Sequence, residues 1–161
     1  MTRAVSRWFL LAGTVIALDQ IAKLWVLAAF HYGEILPVAG FFNLVLVMNP
    51  GASFSFLAGA GGWQKWFFSA LALAVSVWLI VLIRRHAQER LRPAAFSLVL
   101  GGALGNLIDR LRFGAVVDFL DFHFAGWHWP AFNLADSAIT VGVILLLWQQ
   151  VSDHERTRSA R

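Results

Sequence analysis

Two aspartates stand out because of the apolar residues around them. Asp118 lies in the stretch GAVVDF, and Asp136 lies in the stretch FNLADS. Carboxylates in such surroundings are costly, so they are usually retained for chemistry or for ion movement. Two that come close together can share one proton and activate a water molecule. The pair therefore predicts acid–base hydrolysis, which needs no metal.

The composition is that of a membrane protein. The chain of 161 residues is 59% hydrophobic and only 14% charged, whereas a soluble domain is nearer half apolar. The net charge of +4 comes from arginines in short segments between apolar runs, which argues against nucleic acid binding. There is no cysteine, so disulfides and thiolate metal ligands are excluded. We expect a single integral membrane domain covering 1–161.

Four segments are apolar enough to cross a bilayer, which takes about 20 residues. They cover roughly 8–30, 66–83, 94–111 and 132–151. We expect the first to be a retained helix and not a signal peptide, because it carries Asp19 and Lys23 and lacks a convincing cleavage site. The third is short and glycine-rich. Its Gly101 and Gly105 have the spacing that lets helices approach closely.

The arginines predict the orientation of the four spans. They cluster before the first span, between the second and third, and after the fourth, and such basic segments face the cytoplasm. The links 31–65 and 112–131 then lie outside and are rich in interfacial aromatic residues. Runs at 41–48 and 53–57 predict strands. The fold class is thus mostly α, a membrane protein with four transmembrane helices, a small extracytoplasmic β-sheet and an outer loop.

On this topology, polar residues converge at the outer end of the bundle. Asn106 and Asp109 are three apart near the outer end of the third span. Asn133 and Asp136 are three apart at the start of the fourth. Each pair therefore shares one helix face, and Asp118 lies in the link between the two spans. The acids can thus meet at one depth.

Several of these polar residues also have simpler interpretations. Asp109 and Arg110 form either an interfacial ion pair that ends a helix or a site in which the arginine holds a ligand or a carboxylate. Asn133 is a candidate helix cap, a common role for asparagine. Asp121 is expected to be a solvated loop residue and not a catalyst.

Asp19 and Lys23 support a different function. They are four apart on one face of the first span, and Asp19 is about 16 Å along the helix from Trp8, near the bilayer middle. An internal ion pair that fixes packing is one interpretation. A small proton-coupled transporter that uses both residues is the alternative function, and a structural membrane subunit is a third. The five histidines lack the spacing of a metal site.

Five sequence blocks resemble, in order, those of the lipoprotein signal peptidases, also called signal peptidase II. The blocks are DQIAK at 19–23, NPGASF at 49–54, GGALGNLIDR at 101–110, VVDF at 116–119 and FNLADS at 132–137. The resemblance covers nearly the whole chain. It departs at Ala22, where the family usually has serine or threonine, and at Ser53, where alanine is usual.

The resemblance implies an aspartic endopeptidase of the bacterial inner membrane, with Asp118 and Asp136 as the catalytic dyad. It implies cleavage of diacylglyceryl-modified prolipoproteins just before the lipidated cysteine, at the extracytoplasmic face. Residues implied to bind substrate or support the dyad are Asn49, Gly51, Asn106, Asp109, Arg110 and Asn133. Asp19 and Lys23 are expected to form a structural polar pair. The expected partners are the precursors and membrane lipids, without nucleic acid, metal or cofactor, and we expect a monomer.

Overall fold

Four long helices and a small sheet make up the protein. The computed structural model describes residues 3–51 and 62–159, with side chains as far as Asp153. The helices are α1 (Arg3–Ala29), α2 (Trp63–Arg85), α3 (Leu91–Phe113) and α4 (Leu134–Ser159). The strands are β1 (Ile35–Ala39), β2 (Phe42–Asn49), β3 (Val116–Phe124) and β4 (Trp127–His128). The predicted fold class is confirmed, since all four helices are long and apolar enough to span a membrane. Ser53 and the predicted strand at 53–57 lie outside the described residues.

Helix α3 is the centre of the bundle and packs against α1, α2 and α4. A β-carbon added at Gly101 would lie 2.7 Å from the Val15 side chain of α1, and one at Gly102 would lie 2.3 Å from the Ala135 carbonyl of α4. Small residues thus let both neighbours approach the α3 backbone. Because α3 faces protein more than lipid, it can be less apolar than an ordinary span.

The sheet joins two links that are far apart in sequence. Its strand order is β1-β2-β3-β4, and β2 covers most of the predicted run at 41–48. Strand β2 pairs antiparallel with β3, so that Asn49 lies opposite Val116 and Val47 lies opposite Asp118. Since β2 follows α1 and β3 follows α3, this pairing brings the first and third interhelical links to the same end of the bundle.

The remaining link lies at the other end, beside the start of α1. The indole Nε1 of Trp8 donates a hydrogen bond to the Ala87 carbonyl at 3.0 Å. The guanidinium of Arg7 donates to the carbonyls of Ala87 and Glu89 at 3.3 and 3.4 Å. The start of α1 and the arginine-rich second link are therefore separated from the sheet by the length of the helices.

Strand β3 aims Asp118 away from the apolar core. Val117 and Phe119, on either side of Asp118, join Val26 of α1 and Leu46 of β2 in one buried cluster. Because successive side chains of a strand point to opposite faces, the carboxylate faces away from that cluster. Asp118 therefore lies in a regular strand and not in an irregular link.

Candidate active site

The carboxylate of Asp118 is buried and held by two amides. Its side chain is only 1% exposed. Asn49 Nδ2 donates to one oxygen at 2.9 Å, and Asn133 Nδ2 donates to the other at 2.7 Å. Burial raises the pKa of Asp118 to about 7, because the charged form loses its hydration. The nearby charge of Asp136 raises it further, whereas the two amide hydrogen bonds oppose the rise.

Asp136 lies in the first turn of α4, where Asn133 is the helix cap. The backbone N–H of Asp136 donates to Asn133 Oδ1 at 2.9 Å, and the backbone N–H of Asn133 donates to Asp136 Oδ2 at 3.3 Å. This reciprocal pair is a capping box. It makes the helix begin at Leu134, two residues after the start of the predicted span. Asn106 Nδ2 donates to the other oxygen of Asp136 at 2.7 Å.

One asparagine therefore connects the two acids. Asn133 donates its side-chain amide to Asp118 and its backbone N–H to Asp136. The residue before it, Phe132, exchanges backbone hydrogen bonds with Leu120 of β3 at 2.8 and 3.0 Å. These bonds hold the start of α4 against the strand that carries Asp118. The two acids are thus joined through Asn133 where β3, α3 and α4 come together.

Lys23 lies at the centre of a buried polar network behind the acids. Its Nζ lies 2.8 Å from Asp19 Oδ2 and 2.7 Å from Asp109 Oδ2. It also donates to Asn106 Oδ1 at 3.0 Å. Asp109 is fully buried and pairs with Lys23, so the interpretation of Asp109 and Arg110 as an interfacial pair is wrong. The Lys23 ammonium also orients the Asn106 amide. Because it binds the amide oxygen, the amide nitrogen Nδ2 of Asn106 faces Asp136.

The pair of Asp19 and Lys23 lies at the same end of the bundle as the acids. Asp19 Oδ1 accepts a hydrogen bond from the backbone N–H of Ala135, at the start of α4, at 2.9 Å. The pair is thus part of the support of α4 and not a separate relay at mid-depth. Gln20 completes the network, because its Nε2 donates to Asp109 Oδ1 at 2.9 Å. No role was predicted for Gln20, although it belongs to the block DQIAK.

A cavity of about 550 Å³ opens beside the acids. Asp136, Asn106, Asn49 and Arg110 line its polar side. The rest of its wall comes from the outer segment and from α4: Trp129, Pro130, Ala131, Phe132, Ser137, Thr140 and Val141, with Val116 of β3. Asp118 does not form part of the wall. It is connected to the cavity by its hydrogen bond with Asn49, which does line it. Four of the predicted site residues thus line one cavity, and Asn49 connects it to Asp118.

Gly51 orients the amide of Asn49. Its backbone N–H donates to Asn49 Oδ1 at 2.9 Å, which leaves Asn49 Nδ2 to face Asp118. Its φ of +110° is strained for any residue with a β-carbon. A glycine is therefore required at this turn.

Asp121 is not the solvated loop residue that was expected. It lies in β3, is 6% exposed, and accepts a hydrogen bond from Asn43 at 2.8 Å. His128 Nδ1 lies 2.9 Å from its other oxygen. Burial alone would raise the pKa of Asp121, but the hydrogen bonds from Asn43 and His128 outweigh it and lower the pKa below its usual value. Asp121 thus ties β3 to β2 and β4.

Comparison with known proteins identifies the family. Residues 11–152 match the family model described as signal peptidase (SPase) II. The chain belongs to the signal peptidase II family. The resemblance of the five sequence blocks is thereby confirmed. As a member of that family, the chain is a multi-pass bacterial membrane protein and an aspartic-type peptidase that removes signal peptides. The transporter alternative is not favoured.

Individual relatives match over most of their length. A lipoprotein signal peptidase of Azoarcus sp. (strain BH72) is 59% identical over 148 residues, which cover 92% of this chain and 84% of the relative. A lipoprotein signal peptidase of Ralstonia nicotianae is 54% identical over a match that covers 89% of this chain and 83% of the relative. A bacterial membrane enzyme solved by the in meso method at 2.3 Å resolution superposes with a TM-score of 0.83 at 32% identity, covering 94% of this chain and 91% of its own.

Proposed function

We propose that this signal peptidase II removes the signal peptide from diacylglyceryl-modified prolipoproteins, with Asp118 and Asp136 as the catalytic dyad. Cleavage falls just before the lipidated cysteine. The observation that carries the assignment is the bridge formed by Asn133, which hydrogen-bonds both carboxylates beside the cavity. Other buried acids, such as Asp19 and Asp109, are paired with Lys23 and do not line the cavity.

The two acids differ in their surroundings, and this difference assigns their starting roles. Asp118, whose pKa burial raises to about 7, is the acid that keeps its proton as the pH approaches neutrality. Asp136 lies in the first turn of a helix, a position that favours a negative charge, and the N–H of Asn133 donates to it. Asp136 is therefore the general base, and Asp118 is the general acid.

The reaction then runs in two proton-balanced steps. Asp136 takes a proton from a water molecule while the water oxygen bonds to the scissile carbonyl carbon, and Asp118 gives its proton to the carbonyl oxygen. In the second step, Asp136 returns its proton to the cysteine nitrogen as the C–N bond breaks. Asp118 recovers its proton from one hydroxyl of the tetrahedral intermediate. The oxygen of that hydroxyl becomes the carbonyl oxygen of the new carboxylic acid. Both aspartates regain their starting states.

The cavity suits an extended peptide segment. Its volume of about 550 Å³ lies within the usual range of ligand sites, about 300–1,000 Å³. Arg110, together with Asn49 and Asn106, supplies donors for substrate carbonyl oxygens. The acyl chains of the substrate stay in lipid, so the thioether is held at interface depth, and the segment 129–132 covers the peptide from outside.

The proposal includes an orientation in the inner membrane. Both termini and the arginine-rich link face the cytoplasm, and the dyad faces outward. The sheet lies at the extracytoplasmic surface beside the lipid. In this proposal the protein acts as a monomer on its precursor and lipid partners. No metal or other cofactor takes part in the proposed chemistry.

The test replaces each acid by its amide. Asp118→Asn and Asp136→Asn should each lower processing of a synthetic diacylglyceryl precursor in detergent by about 1,000-fold or more, because an amide can neither give nor take the proton. Both variants should still insert and fold. The matched control is Asp121→Asn, which alters another buried acid of strand β3 and should retain most activity. Near wild-type processing by either dyad variant would overturn the assignment. Cleavage in detergent, without any gradient, also excludes transport as the function.

A further inference from the structure

Arg110 lines the cavity but has few hydrogen bonds to hold it there. Its Nη1 donates to the Asn106 carbonyl of the preceding turn at 3.4 Å, a long contact. Its Nε is buried and has no hydrogen-bond partner among residues 3–51 and 62–153. An arginine side chain has high rotamer entropy, so these contacts alone do not keep the guanidinium in one position. Another group also contacts it.

That group is the ring of Phe68, on α2. The guanidinium carbon of Arg110 lies 5.5 Å from the ring centroid, within the distance of about 6 Å over which a cation is attracted to an aromatic face. Phe68 is half-buried, and partial removal from water strengthens this attraction. No residue of α2 that the structure describes lines the cavity, so Phe68 brings this helix into contact with the site.

The same ring packs against Gly51. A β-carbon added at Gly51 would lie 2.6 Å from the ring of Phe68, so the turn and the ring are in close contact. Gly51 holds Asn49 through its N–H, and Asn49 in turn donates to Asp118. One aromatic ring therefore touches both the cation of the cavity and the turn that supports the acid.

We propose that Phe68 is a positioning residue of this peptidase, which holds the guanidinium of Arg110 toward the substrate peptide. The inference rests on the proposed function, because it takes the cavity beside the dyad as the place where the peptide binds. A preoriented guanidinium loses little freedom when the substrate arrives, and this favours binding. The main effect of Phe68 is thus on KM and on substrate affinity, and less on kcat.

The test compares Phe68→Leu with Phe68→Tyr. Leucine removes the π face, and kcat/KM should fall about fivefold to tenfold, mostly through KM. Tyrosine keeps the π face and should stay within about twofold of wild type. The matched control is Phe113→Leu, because Phe113 lies under Arg112 at 5.0 Å but outside the cavity. That variant should leave kcat/KM unchanged within about twofold. Equal losses for leucine and tyrosine at position 68, or no loss for leucine, would overturn the proposal.

A binding cycle shows whether Phe68 acts through Arg110. Binding of the uncleaved precursor is measured with the Asp136→Asn variant, alone and combined with Phe68→Leu, Arg110→Gln or both. Phe68→Leu should weaken binding about fivefold when Arg110 is present and less than about twofold when glutamine replaces it. Equal weakening in both backgrounds would refute the mechanism. If Phe68→Leu does not fold, as judged by thermal unfolding, Phe68→Met takes its place. A failure of the proposed function can be told apart from a failure of this inference, because in that case the Asp136→Asn variant would itself cleave the precursor.

Discussion

Asp118 and Asp136 carry the same side chain in two different environments. Asp118 is enclosed in strand β3 and loses its hydration, which raises its pKa to about 7. Asp136 is half-buried at the start of α4, where the helix dipole favours an ionised carboxylate. Such a separation of two acids by their surroundings is the usual basis for assigning acid and base.

The pH dependence of the reaction follows from this difference. We expect kcat/KM to fall as the pH rises through about 7, because the raised pKa of Asp118 means that its proton is held below this pH and lost above it. Above pH 7 Asp118 is increasingly ionised, so its proton is no longer available for the scissile carbonyl. The measurement is kcat/KM from about pH 5 to about pH 9, which reports the free enzyme.

Two variants check the origin of that alkaline limb. The hydrogen bond from Asn49 favours ionised Asp118, so Asn49→Ala should move the limb of the remaining activity to higher pH. Asp121→Asn should not move it, since the pKa of Asp121 is already lowered by Asn43 and His128. The role of Asp118 would be contradicted if kcat/KM did not change across pH 7. It would also be contradicted if the fall in kcat/KM occurred at lower pH in Asn49→Ala than in the wild type.

At the scale of the elements, the contact between α3 and α4 places the dyad. Gly102 of α3 faces the backbone of Ala135, the residue before Asp136. Asn106, one turn further along α3, donates to Asp136 itself. A small change in the distance between these helices therefore moves Asp136, the proposed catalytic base, relative to strand β3.

Two glycine-to-alanine variants test this close approach. In Gly102→Ala the new methyl group would lie 2.3 Å from the Ala135 carbonyl oxygen, so α4 must shift. We expect a loss of about 1–3 kcal/mol in stability and at least a tenfold drop in cleavage. Gly13→Ala is the control, because nothing lies within 4 Å of its added β-carbon. It should be neutral or slightly stabilising. The measurements are thermal unfolding in detergent and precursor processing, and similar behaviour of the two variants would refute the close contact.

At the scale of the whole molecule, two sets of contacts define opposite ends. The pairing of β2 with β3 unites the first and third links. The bonds from Arg7 and Trp8 to Ala87 hold the second link beside the start of α1. Arg7 and the arginine-rich second link thus lie at one end and the acids of the site at the other, which is the distribution expected of a protein with a cytoplasmic basic face.

Cysteine labelling tests the orientation directly, since the chain has no cysteine of its own. Tyr32→Cys places a thiol after α1, where the side chain is 74% exposed. Gln88→Cys places one in the exposed link between α2 and α3. A membrane-impermeant thiol reagent should label position 32 in spheroplasts and position 88 only after lysis. The reverse pattern would show that the dyad faces the cytoplasm.

The sequence by itself determined the features that depend on local composition and periodicity. Apolar runs identified four helices, and glycine spacing identified the close contacts of α3, because both features depend on residues that are near in the chain. The spacing of three between Asn133 and Asp136 indicated a shared face at a helix start, where a capping box was then found.

Only the tertiary structure decided which distant groups meet. Strand β3 was not predicted, since a carboxylate interrupts its apolar pattern. Its partner β2 is also distant in the sequence, because helices α2 and α3 lie between the two strands. The burial of Asp121, the contact of Lys23 with Asp109 and the ring of Phe68 beside Arg110 likewise join residues of different elements. Such contacts follow from how the helices and the sheet pack together, and no local pattern in the chain records them.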